Sequence, residues 1–150
     1  MKRAKVMKPE PGLDLNATIW NAFIDLLAMS EPEELSAAQR PAQLAFWYES
    51  EVQNGGHLQY FLNRGPGEAE SAIAALEGIG AADHSRVLRA AFETLQAASR
   101  RSPVSAEEYS QVALEGEFDI YDSQFYAAPP LMDVLESHLN VYRDLFVVVD

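Results

Sequence analysis

The sequence predicts an all-α domain of about seven or eight helices. Three observations predict it. Every long apolar pattern repeats at helical rather than strand spacing. The breaks between those patterns fall at glycine, proline and capping residues, where helices end. A chain of 150 residues, 48% hydrophobic and 23% charged, is large enough to bury one core of its own.

The elements follow in order. Residues 1–12 (MKRAKVMKPEPG) are basic, and Pro9, Pro11 and Gly12 interrupt them, so a flexible arm is expected there and one helical domain over 13–150. No apolar region follows the basic start, so no signal peptide is expected. Leu15 to Met29 carries Ile19, Trp20, Phe23, Ile24, Leu26 and Leu27 on one face, with Asp14 or Asn16 as its cap. A second helix starts between Ser36 and Pro41 and runs to about Gln53, with Leu44, Trp47, Tyr48 and Val52 aligned. Asn54-Gly55-Gly56 reads as its stop, since glycine enters the left-handed region without a Cβ penalty. A short aromatic helix from His57 to about Asn63 follows, and Arg64-Gly65-Pro66-Gly67 breaks the chain again.

Glu68 to Ile79 and Asp83 to Ser99 are the next helices, each with an apolar stripe. Ser105-x-x-Glu108 matches a capping box and opens a short helix ending near Leu114. Glu117 to Tyr126 turns Phe118, Tyr121 and Phe125 inward. The last helix, Leu131 to about Val147, aligns Leu131, Val134, Leu135, His138, Leu139, Tyr142, Leu145 and Phe146. Phe146-Val-Val-Val149 reads as the end of that helix, and His138 as a core histidine with a hydrogen-bonded ring nitrogen.

Several chemistries are excluded by composition. With no cysteine, disulfides, thiolate metal sites and cysteine nucleophiles are absent, which fits a cytoplasmic protein. His57, His84 and His138 stand far apart, and neither HExxH nor Glu-x-x-His occurs, so no metal site and no cofactor are expected. There is no GxSxG elbow and no phosphate-binding glycine loop. No apolar run reaches the roughly 18 residues of a membrane span.

Charge is the most informative property. The net charge is −12, and four of the eleven basic residues precede residue 9; the remainder sets seven basic against 23 acidic side chains, a net −16. Phosphate repels such a body, so direct nucleic-acid binding is disfavoured and a basic protein partner is favoured. At one charge per roughly 1.7 Å of duplex axis, sixteen charges match about 27 Å, or roughly eight base pairs. Glu107, Glu108, Glu115, Glu117, Asp119 and Asp122 are the densest carboxylates and are the expected partner-binding residues, acting as phosphate surrogates.

The stretch Glu51 to Asn63 adds a resemblance. Glu51, Val52, Asn54, Gly55, Gly56, Gln59, Tyr60, Phe61 and Asn63 resemble a bacterial domain family with the approximate signature E-V-N-N-G-G-F-x-Q-Y-F-x-N. The family is typified by the C-terminal domain of a DNA mimic protein. Ala75-Leu-Glu-Gly-Ile-Gly80 and the aromatic segment Phe118 to Phe125 extend the likeness to about residues 15–146. Two positions depart from the pattern: Gln53 where asparagine is usual, and His57 where phenylalanine is usual. The resemblance implies an all-helical fold, a homodimer, and an acidic surface that occupies the DNA-binding face of a helix-turn-helix regulator of transcription. It implies no catalytic residue. Glu51, Asn54, Gly55, Gly56, Gln59, Tyr60 and Asn63 are therefore expected to be structural, with Asn54, Gln59 and Asn63 partnering loose backbone groups at the corner. A ligand or enzyme pocket around His57, Gln59, Tyr60 and Asn63 is the alternative, and a plain oligomerisation module is a third reading.

Overall fold

Asp14 begins the first helix: its Oδ1 accepts the Ala17 N–H at 2.7 Å, satisfying one of the unpaired amides of a helix start. The computed structural model describes residues 2–6, 11–101 and 116–149. Within them lie strand β1 (Ala4–Val6) and helices α1 (Leu15–Met29), α2 (Arg40–Arg64), α3 (Pro66–Gly78), α4 (Ala82–Arg101), α5 (Asp119–Ala127) and α6 (Leu131–Phe146). A short 3-10 turn spans Pro32–Glu34, and strand β2 (Val147–Val149) ends the described chain. The fold is all-α, with six helices among the described residues.

Two differences explain why fewer helices are seen than the seven or eight expected. The helices predicted on either side of Gly55-Gly56 are both present, parted where the two glycines leave helical geometry, and are numbered together as α2. The helix predicted from Ser105 lies outside the described residues.

The chain ends also differ from expectation. Phe146-Val-Val-Val149 does not prolong the helix. Val147–Val149 form β2, which pairs in parallel with β1 in the register Ala4↔Val147, Lys5↔Val148 and Val6↔Val149. Three successive β-branched residues favour the extended state, and burial of Val6 and Val147 gives the pairing an apolar inner face. Residues 4–6 of the expected arm are thus a strand.

Two buried glutamines hold this end of the molecule together. Gln39 Nε2 donates to the carbonyls of Lys2 (2.6 Å) and Leu145 (2.7 Å), joining the start of the chain to the end of α6. Its Oε1 accepts the Ser36 N–H at 2.8 Å while Ser36 Oγ accepts the Gln39 N–H at 3.3 Å, a reciprocal cap leading into α2. Gln43 Nε2 donates to the carbonyls of Leu27 (3.1 Å) and Ser30 (2.8 Å), which the C-terminus of α1 leaves unpaired.

Around this frame packs a core rich in aromatics. Phe23 meets Phe146 edge to face with centroids 4.9 Å apart, and Tyr48 meets Tyr60 at 5.1 Å and Phe125 at 5.6 Å in the same manner. His138 is half-buried against Tyr142 and Phe146, but its Nε2 has no hydrogen-bond partner, contrary to expectation. No described helix is long and apolar enough to cross a membrane.

Candidate functional site

The glycine motif divides α2 into two helical segments. Gly55 has φ −157° and ψ 19°, and Gly56 has φ 77° and ψ −177°. The second conformation belongs almost to glycine alone. After the break, the segment from His57 to Arg64 is a helix start whose first amides lack intrahelical acceptors. Such amides need a cap, and the motif does not supply one.

Asp122, on the first turns of α5, supplies it from 65 residues away. Its Oδ1 accepts the His57 backbone N–H at 2.9 Å and lies 2.7 Å from His57 Nδ1. Gly56 makes the approach possible, since a Cβ there would lie 2.6 Å from Asp122 Oδ2. The motif's two glycines therefore do different things. Gly56 takes the left-handed turn and clears space for the carboxylate, whereas a Cβ on Gly55 would overlap the Gln59 side chain.

A buried chain of hydrogen bonds follows. A carboxylate oxygen only accepts, so His57 Nδ1 carries the proton and Nε2 is left as the acceptor. Tyr48 Oη lies 2.8 Å from Nε2 and donates to it. Both Tyr48 and His57 are fully buried, while the Asp122 side chain is 30% exposed. Burial pushes the His57 pKa down, opposed by the hydrogen bond and the charge of Asp122. Burial also raises the Tyr48 hydroxyl well above the usual tyrosine range. The imidazole is held neutral and the phenol protonated.

That arrangement resembles a catalytic triad in connectivity alone. A nucleophile or base must reach substrate, and Tyr48 and His57 have no solvent access. The neighbouring motif residues are likewise engaged with each other. Gln59 Nε2 (2.9 Å) and Asn63 Nδ2 (2.8 Å) both donate to Glu51 Oε2, rather than to backbone groups as expected. Asn54 is exposed and contributes none of the described hydrogen bonds at the corner. Tyr60 is fully buried, its hydroxyl without a partner. A cleft of about 910 Å³ lies elsewhere, between α1 and α6, lined by Asp14, Trp20, Glu136 and Asp144 among others.

The carboxylates expected to bind a partner are distributed as follows. Glu107, Glu108 and Glu115 lie outside the described residues. Glu117 and Asp119 are exposed at the start of α5. Asp122 turns inward to His57. A further acidic stripe sits on α6, where Asp133, Glu136, Asn140 and Asp144 are exposed opposite its buried face. Their spacing of three, four and four residues places them on one face, opposite the apolar stripe of the same helix.

Fold and site define a small acidic helical domain organised round a broken helix that a distant carboxylate caps. It belongs to the DMP19-like protein family, whose model matches residues 33–143 and so spans α2 to α6 with the whole Asp122–His57–Tyr48 chain. No curated protein and no solved structure matches it.

Proposed function

We propose that this protein is a non-enzymatic DNA mimic, which presents carboxylates in place of phosphates to a basic DNA-binding protein. One observation carries the reading: four of the body's arginines pair with acids of the chain and Arg40 bonds Gln43, while its exposed acids are in excess. Arg64 pairs with Glu68 (2.6 Å), Arg86 with Asp83, Arg89 with Glu77 (3.9 Å) and Arg143 with Asp144 (3.9 Å). Glu70, Glu93, Asp119, Asp133 and Glu136 remain exposed in addition.

Glu117 just before α5, Asp119 at its start and the α6 stripe are the described candidates for contact, and Glu107, Glu108 and Glu115 complete the set in sequence. Along α6 the residues from Asp133 to Asn140 span about 10 Å at 1.5 Å per residue, and Asp144 follows a break at Tyr142. A regulator's Lys and Arg side chains would meet them as they meet a phosphate backbone, so affinity falls with salt. Asp122 serves this surface indirectly, by fixing α5.

The test is retrieval of partners from cytosol with the tagged full chain over a salt series, followed by challenge with duplex DNA. A DNA-binding protein released by both salt and duplex supports mimicry. Retrieval of no such protein, or a complex that saturating duplex leaves intact, contradicts it.

A further inference from the structure

We propose that the unpaired edge of β1, with the groove it forms against α1, binds an extended segment of another protein that carries acidic side chains. The mode is strand addition.

The backbone comes first. Among the described residues β1 has a single neighbour, β2, so half of its amides and carbonyls point away from the pair. A groove of about 510 Å³ runs along residues 2–6 and is closed by α1, with no β2 residue in its wall. It lies, then, on the unpaired side of the strand.

The groove's lining selects the guest. Met29 is 78% exposed at its rim, an apolar surface that no described residue covers. Ser30 is 8% exposed and lies in the same wall, its Oγ buried and without a hydrogen-bond partner. Lys2, Arg3 and Lys5 line the groove against one acid, Asp25. In a chain of net charge −12 this is a local reversal of sign. Lys2 Nζ is held by Glu34 at 2.9 Å and Arg3 by the Asp144 carbonyl at 3.4 Å, which fixes both side chains, while Lys5 is exposed.

Charge decides among occupants. Self-pairing of β1 between two copies would set lysines and arginines against each other, and like charges opposite one another destabilise a ladder. Lysines on a short edge strand discourage indiscriminate pairing; an acidic strand is the guest they attract.

The experiment titrates the isotopically labelled full chain with a short synthetic peptide of alternating glutamate and valine, and with its lysine–valine counterpart. The glutamate peptide is expected to shift the amides of residues 3–6 and the Met29 methyl, to slow hydrogen exchange in β1, and to weaken with salt. Lys5→Glu should weaken binding about tenfold or more with an unchanged melting curve, because Lys5 is exposed. Met29→Ala gives a second, uncharged check. No shift at millimolar peptide, equal binding of the lysine peptide, indifference to both substitutions, or a dimer that buries this edge would each overturn the proposal.

Discussion

Asp122 Oδ1 serves both nitrogens that His57 presents at the helix break, the backbone N–H at 2.9 Å and ring Nδ1 at 2.7 Å. One atom thereby caps the second half of α2, fixes a histidine tautomer, and ties α5 to the centre of the core. Removing it leaves a buried amide and a buried imidazole N–H unpaired. Asp122→Ala should cost about 2–4 kcal/mol. Asp122→Asn keeps an acceptor oxygen and should cost about half as much. Urea denaturation of the three proteins measures the ordering.

Gly56 should tolerate substitution worse than most surface glycines. Its φ of 77° with ψ near −177° strains any other residue, and a Cβ meets the capping carboxylate. Strain of about 1–3 kcal/mol adds to partial loss of the cap, so Gly56→Ala should be at least as damaging as Asp122→Ala. If the two act through the same contact, the double variant should be less destabilised than the sum of the singles, which a double-mutant cycle on thermal or urea unfolding reads directly.

Acid should destabilise the fold through its histidines. Burial lowers the pKa of His57, His84 and His138 alike. The unfolded chain, with histidines near 6.5, then binds more protons than the native state. Stability therefore falls as pH drops through about 6.5 and levels off below the folded values. His57→Phe keeps an aromatic ring at this position and removes one titrating group. It should fold, show a flatter stability profile between about pH 7 and 5, and lose about 1–2 kcal/mol at neutral pH from the stranded Tyr48 hydroxyl.

Gln39 should matter more than its type suggests. Fully buried, it bonds both ends of the chain to the start of α2. Gln39→Ala should cost about 2–4 kcal/mol and raise hydrogen exchange in β1 and β2 before the rest of the molecule.

The helices were legible because their signals are local. The α6 stripe, the Asp14 cap and the proline starts of α2 and α3 all act within a few residues. What escaped is what the chain assembles over distance. Ala4 and Val147 are 143 positions apart, and no local pattern announces that pairing. Asp122 sits among carboxylates and reads as one more surface acid, yet its partner is an amide left open by a glycine 66 positions earlier. His57 was legible as the anomalous member of its motif, and its two neighbours were not. Gln59 and Asn63 were expected at backbone groups, but Glu51, 8 and 12 positions before them across the break, takes both.

The glycine motif is a joint closed by Asp122, and the state of the His57 ring tests this most directly. Nitrogen-15 NMR of the histidine side chains should show a neutral ring at pH 7, with the proton on Nδ1 and Nε2 accepting, unchanged down to below the usual histidine range. A His57 that is charged at neutral pH, or protonated on Nε2, or that titrates as freely as an exposed imidazole, would contradict it.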